Sequence, residues 1–254
     1  MKRIMLAMFV VTLAFAFAGD VQAEKINLAH LKEMVARYPF ALEVGTPGSP
    51  DHKFLYSDQQ AHVHVFRIDD GELEEVWETT ALGSRAAAIS VSDLYGTGTQ
   101  YLVIATTLGR FLIYDMNSYN LEWENIQRDF TRIADMVVEN IDEDPQQEII
   151  IVADDRIFIF DGINRNIQWV SPSTWPTTQI LIGNVDDDPQ PEIVMNTGRI
   201  LDTRFFNIEF TADVPFGERI SLFDMNGDGI PEVIGEFSDF TLRVFDVYAQ
   251  REIW

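Results

Sequence analysis

Residues 140–169 read NIDEDPQQEIIIVADDRIFIFDGINRNIQW. An acidic loop is followed by an unbroken apolar run, a polar turn and a segment where Ile157 and Ile159 alternate with Phe158 and Phe160. Then comes Asp161 and, eight residues later, Trp169. The same order recurs along the chain. Further acidic loops open at Asn184 (NVDDDPQPEIVM) and Asp224 (DMNGDGIPEVIG). DLYGTGTQYLVIA from Asp93 and GTPGSPDHKFLY from Gly45 hold the same place with few or none of the oxygen side chains. The downstream halves RFLIYDMNSYNLEW, RIFIFDGINRNIQW and LRVFDVYAQREIW end on Trp123, Trp169 and Trp254, and Trp77 and Phe210 fill the matching places in the other two units. Asp115, Asp161, Asp202 and Asp246 each stand eight residues before such an aromatic. Loop starts at 45, 93, 140, 184 and 224 are separated by 48, 47, 44 and 40 residues, the spacing of a structural repeat.

Each unit reads as four short strands. One enters the acidic loop (ALEV, AISV, DMVV, ILIG, ISLF) and one leaves it (KFLYSD, YLVIAT, EIIIVA, EIVMNT, EVIGEF). A third runs towards the Asp, and a fourth carries the aromatic. Such a unit cannot bury both faces alone, whereas stacked units can, so the pattern predicts an all-β β-propeller of five four-stranded blades over residues 40–254. The fourth-strand aromatics are expected to pack between neighbouring blades. Closure of the ring within one chain would rest on side-chain packing; completion by a second copy is the alternative. Residues 24–39 form a lead in which Ile26, Leu28, Leu31, Met34 and Val35 predict a short N-terminal helix over Leu28–Arg37, stopped at Pro39.

Lys2 and Arg3 precede an apolar run from Ile4 to Ala18, then Gly19, Asp20 and the small-residue site Val21-Gln22-Ala23. This is a secretory signal pattern over residues 1–23, and its apolar run is shorter than the ~20 residues of a spanning helix. The expectation is export to the periplasm or the extracellular space, with no transmembrane span after cleavage. The formal charge is −23, from 41 acidic and 18 basic residues. Nucleic acid is excluded as a partner, because phosphate contacts need clustered Lys and Arg. Attachment to anionic lipid is excluded for the same reason. Without Cys there are no disulfides, thiolate metal sites or Cys nucleophiles. At 46% hydrophobic the chain still builds a large core.

The repeats resemble the FG-GAP/VCBS family, whose propeller repeats occur in integrin alpha-subunit heads and in secreted bacterial proteins. The residues that carry the resemblance are those of a D-x-[DN]-x-[DN]-G-x-x-[DE] loop between two hydrophobic strands, clearest at DMNGDGIPE. The resemblance spans about residues 41–254 and is strongest in the last three units. The Phe-Gly and Gly-Ala-Pro words of that family are replaced here by VIGEF and IIIVADD, and the halves ending VFD…Trp also resemble repeats of quinoprotein and outer-membrane-assembly propellers. The resemblance implies calcium, which takes six to eight oxygens from carboxylates, amides and carbonyls. In the last unit these would come from Asp224, Asn226, Asp228 and Glu232 with the Ile230 carbonyl, and Gly229 stands at the sharp turn. The matching sets are Asn140, Asp142, Asp144 and Glu148, and Asn184, Asp186, Asp188 and Glu192. Pro145 and Pro189 replace the glycine in those two loops, and proline cannot take positive φ. In the second unit Tyr95, Thr97 and Tyr101 stand at ligand positions, and no site is expected. A second reading stays open for every loop: Asp and Asn capping tight turns through backbone N–H groups, without metal.

No G-x-S-x-G, H-E-x-x-H or phosphate-loop motif occurs. His62 and His64 share one face of a strand, which offers a two-His metal site as the alternative; no third ligand is near in sequence, so an ordinary exposed face is the expectation. Glu43 and Glu139 lie on or beside inner strands, with Glu43 interrupting the apolar column of Val91, Val138, Ile182 and Leu222. Trp175, between Pro172 and Pro176, is either a contact residue or packing against a blade edge. The functional expectation is an exported, non-enzymatic, calcium-stabilised module that binds a protein or glycan. The alternatives are a carbohydrate-active enzyme (glycosidase or lyase) with axial carboxylates and an outer-membrane-associated assembly factor.

Overall fold

The computed structural model describes residues 41–46, 49, 51–69, 72–125, 129–142 and 144–254. The signal segment and the helical lead lie outside the described residues. The chain divides into two compact units at Arg85. In the first, β1 (Ala41–Val44), β2 (Lys53–Ser57), β3 (Val63–Asp69) and β4 (Glu72–Glu78) form one antiparallel sheet in sequence order. The second unit holds four more sheets of the same order. They are β5 (Ala86–Ser92) to β8 (Leu121–Glu124) through β6 (Tyr101–Thr106) and β7 (Phe111–Asp115); and β9 (Ile133–Glu139) to β12 (Ile167–Val170) through β10 (Glu148–Ala153) and β11 (Arg156–Phe160). The last two run from β13 (Ile180–Gly183), β14 (Glu192–Met195), β15 (Arg199–Asp202) and β16 (Ile208–Thr211) to β17 (Arg219–Phe223), β18 (Glu232–Glu236), β19 (Leu242–Asp246) and β20 (Arg251–Glu252). All pairings are between sequence neighbours, which suits strands joined by short turns.

The second strands explain the packing. Every residue of β6, β10 and β14 is buried, which is why they read as unbroken apolar runs rather than alternations. Alternate side chains serve opposite interfaces. In the fourth sheet Ile193, Met195 and Leu201 join Ile150, Val152, Ile157 and Ile159 of the third. Val194 and Ile200 turn the other way and join Phe216, Ile220, Val233 and Phe245 of the fifth. The first strands of consecutive sheets are neighbours: β5 beside β9, β9 beside β13, β13 beside β17.

The aromatic series divides. Trp169 stacks on Phe206 of the next sheet at 5.2 Å, and Phe210 lies parallel to Phe216 at 6.5 Å. Trp254 departs from expectation. β20 ends two residues before it, and its side chain is 70% exposed. It is held by its backbone carbonyl, which accepts from Val244 N at 2.6 Å. Trp175 is buried among the third and fourth sheets and lies 6.0 Å from Trp169, which settles it as packing.

The Asp eight residues before each aromatic caps the turn between third and fourth strands. Asp115 accepts from Asn117 N and Ser118 N, Asp161 from Ile163 N and Asn164 N, Asp202 from Arg204 N and Asp246 from Ala249 N, all at 2.7–2.9 Å. The amides of Ser118 and Asn117 hold the Asp115 carboxyl below its ordinary range. Four residues after each Asp, the chain takes positive φ at Tyr119, Arg165, Phe206 and Gln250 (52–60°). One five-residue turn therefore recurs four times.

Candidate functional site

The acidic loops link first to second strands. In three of them the ninth residue is a buried glutamate whose Oε2 accepts the backbone N–H of the second residue: Glu148 from Ile141 (2.9 Å), Glu192 from Val185 (2.8 Å) and Glu232 from Met225 (2.6 Å). The fifth-position aspartates accept from the seventh residue, Asp144 from Gln146 N, Asp188 from Gln190 N and Asp228 from Ile230 N, at 2.8–2.9 Å. Asn140 and Asn184 donate from Nδ2 to the carbonyls of Asp144 and Asp188. Asp224 accepts from Gly227 N (2.6 Å) and Gly229 N (3.0 Å), both glycines at positive φ. Asp or Asn side chains thus accept backbone N–H groups in every one of these loops. The same holds at Asp93, which accepts from Thr97 N and Gly98 N without the other acids. Capping engages the third, fifth and ninth positions as well, with Asp142 and Asp186 accepting from Asp144 N and Asp188 N at 2.8 Å, yet the loop from Asp93 makes its turn without acids at those positions.

Those further acids converge. Oxygens of Asp142, Asp144 and Glu148 lie within 4.8 Å of one another, and so do those of Asp186, Glu192 and Glu209. Burial, reinforced by Asp142 and Asp144, pushes the Glu148 carboxyl up to about 7. Burial, with Asp186, Glu209 and Asp188 nearby, pushes Glu192 up to about 8. Glu209 comes from β16, outside the loop, and is itself pushed up to about 7 by desolvation and then by Asp186 and Asp202. Sequence spacing did not assign it; only the pairing of β15 with β16 brings it there. Both clusters offer the all-oxygen donors that calcium takes. The loop from Asp224 is different. Asn226 Nδ2 sits between Asp228 Oδ2 (2.9 Å) and Glu232 Oε1 (2.6 Å), where a cation would lie, so a metal there requires Asn226 to turn its Oδ1 inward. The loop most regular in sequence is therefore the one whose carboxylates an amide already bridges.

Glu43 contacts His52 Nε2 at 2.6 Å. Glu139 is exposed and pairs in register with Glu148. Asp135, which sequence reading passed over, is pushed up to about 6 by burial. Its two oxygens accept from Met136 N and from Ile180 N of the next sheet, both at 2.9 Å, so it serves as a clamp between sheets. Elsewhere, a cleft of ~310 Å³ between the second and third sheets has Phe111, Trp123, Phe130 and Phe160 on its apolar side and Asn125, Asp129 and Arg165 on its polar side.

His62 and His64 do not form the exposed face expected. His64 is 13% exposed, and Glu75 and Glu78 of β4 and Asp58 stand around it.

The sequence matches no protein-family profile and no curated protein. Solved structures do match. Two crystal structures of BBS1N in complex with ARL6DN, soaked with mercury and with lead, align at TM-score 0.60 with 13% and 14% identity over 85% of this chain. Sqt1 of Saccharomyces cerevisiae aligns at TM-score 0.50 with 10% identity over 67% of it. The chain spans 64% and 67% of the BBS1N chains and 45% of Sqt1. At these identities the likeness shows the fold. The chain is an all-β β-propeller of five four-stranded blades.

Proposed function

We propose that this chain is an exported, non-enzymatic propeller, stabilised by calcium, that acts as a binding module. The observation that carries the calcium reading is the convergence of a buried glutamate, Glu148 or Glu192, with further carboxylates at Asp142–Asp144–Glu148 and Asp186–Glu192–Glu209. Three carboxylates this close repel one another unless a cation or protons intervene. A metal that binds only the folded blade stabilises it by mass action. Within this reading Asn140, Asn184 and the set Asp224, Asn226, Asp228, Ile230 and Glu232 complete the loops as the FG-GAP/VCBS resemblance implies. Calcium-45 binding to the purified protein tests it. Uptake that falls in Asp142→Asn/Asp144→Asn and in Asp186→Asn supports the reading, and uptake unaffected by both removes it.

The binding half of the proposal rests on the last blade. Phe240 is 89% exposed, Trp254 70% and Met225 52%, and Leu242 and Tyr248 are also exposed. Large apolar side chains exposed at both ends of one blade suit a protein partner better than a glycan. The same observation favours, as a second reading, an assembly factor at the outer membrane. Cell fractionation separates the two: recovery with the soluble periplasmic or extracellular fraction supports the soluble module, and co-sedimentation with outer membranes that is lost in Phe240→Ser/Trp254→Ser supports the assembly factor.

A further inference from the structure

We propose that the β3–β4 hairpin carries a transition-metal site of the zinc class, ligated by His64 through Nδ1, by Glu75 and Glu78, and by His62. His64 Nδ1 lies 2.5 Å from Glu75 Oε1 and 3.6 Å from Glu78 Oε2, and His62 Nδ1 lies 3.9 Å from the same Glu78 oxygen. Ligands on a tetrahedral zinc stand about 3.3 Å apart, given bonds of about 2.0–2.1 Å, so Glu75 has to withdraw by roughly 1 Å. Its half-exposed side chain is free to do so.

Strand geometry accounts for the convergence. His62 and His64, two apart, face the same way. Glu75 and Glu78, three apart, would face opposite ways on a regular strand. The register shifts between Val65 and Phe66, which pair with Trp77 and Glu75 and leave Val76 extra, while His64 pairs with Glu78. That bulge puts both glutamates on the histidine face. The His64 ring is fixed by stacking on Tyr56 at 4.8 Å and 14°. Its Nε2 is buried without a hydrogen-bond partner, 3.4 Å from Asp58 Oδ2. A histidine that binds metal through one nitrogen usually turns the other towards a carboxylate, the place Asp58 holds. Asp58 is itself anchored, accepting from His62 N at 2.7 Å. Imidazole nitrogens with carboxylates suit zinc and its neighbours, whereas calcium takes oxygen alone, so this site is chemically distinct from the acidic loops.

Cobalt(II), a visible reporter for zinc sites, tests this on the full chain. The expected result is tetrahedral Co²⁺ absorption that one equivalent of Zn²⁺ abolishes and excess Ca²⁺ leaves unchanged. His62 and His64 should be the imidazoles whose NMR signals shift, with His52 unmoved. Glu75→Gln/Glu78→Gln, changed on the exposed side and so expected to fold, should weaken Zn²⁺ by more than about 100-fold. Asp58→Asn, removing only an outer partner, should weaken it by about 10- to 100-fold. The proposal is overturned if the wild-type protein gives no tetrahedral signal, if the double variant binds Zn²⁺ as tightly, or if the signal survives His64→Ala. In each of those cases the cluster is an ion-pair network alone.

Discussion

Asp135 and Gln179 occupy equivalent positions, each just before the apolar column of its inner strand. Asp135 accepts Ile180 N at 2.9 Å, and Gln179 Oε1 accepts Ile220 N at 2.7 Å. Each ties one inner strand to the next with a bond that closes a chain segment of more than 40 residues. Burial raises the Asp135 carboxyl from 3.8 to about 6. A raised acid is held protonated more tightly in the folded state, so folding is favoured below the unfolded pKa. That advantage is lost as pH rises through about 6. Two units correspond to about 3 kcal/mol. Asp135→Asn keeps an acceptor for Ile180 and cannot ionise. The stability difference, variant minus wild type, should therefore grow by about 2–3 kcal/mol between about pH 4 and 7. Urea unfolding of both proteins across that range checks it. Glu148, Glu192 and Glu209 titrate alike in both and cancel, and parallel curves would show that Asp135 does not carry the shift.

At the level of strands, what was legible followed from burial. A strand covered on both faces reads as an apolar run, so β6, β10 and β14 were visible in YLVIAT, EIIIVA and EIVM. Chain crossings and bulges leave no such trace. The bulge that sets Glu75 and Glu78 beside His64 depends on pairing across two strands, and neither glutamate differs in sequence from a solvated one. Glu209 and Asp135 were hidden for the same reason. Gly235 is a crossing of this kind: the connection into the last blade passes so close that a Cβ on Gly235 would meet Phe216 O at 1.6 Å. Phe216 cannot retreat easily, since its N–H and that of Gly217 are both held by Asn196 O, at 3.0 and 3.3 Å. Gly235→Ala is expected to cost at least about 3 kcal/mol, at the upper end for overpacking. Gly98 is the comparison, with open space around it and φ of +85°, so Gly98→Ala should cost only the ~1–2 kcal/mol of a left-handed alanine. Unfolding free energies of the two variants check the order, and equal losses would mean that backbone conformation rather than the crossing governs Gly235.

For the whole molecule the question is what holds a charge of −23 in one fold. Part of the acid is spent locally, in the turn caps at Asp115, Asp161, Asp202 and Asp246, where backbone amides compensate it. The rest is of two kinds that respond differently to ions. Scattered surface carboxylates repel one another over a Debye length of about 10 Å at 0.1 M salt, so any salt should relieve them. The converged clusters of the third and fourth loops each gather exposed or half-buried carboxylates around one buried glutamate, and on the calcium reading they should answer only to a cation of the right size and ligand number. Melting temperature should therefore rise smoothly with NaCl and then rise again when calcium replaces part of the NaCl at constant ionic strength. A site at 100 times its dissociation constant adds about 3 kcal/mol, or roughly 5–10 °C for a chain of this size. Magnesium, which keeps its waters and demands octahedral geometry, should add much less. Excess chelator should return the curve to the NaCl baseline without going below it. Calcium and magnesium acting equally at matched ionic strength would assign the whole effect to screening, and the loops would then be turns with buried, protonated glutamates.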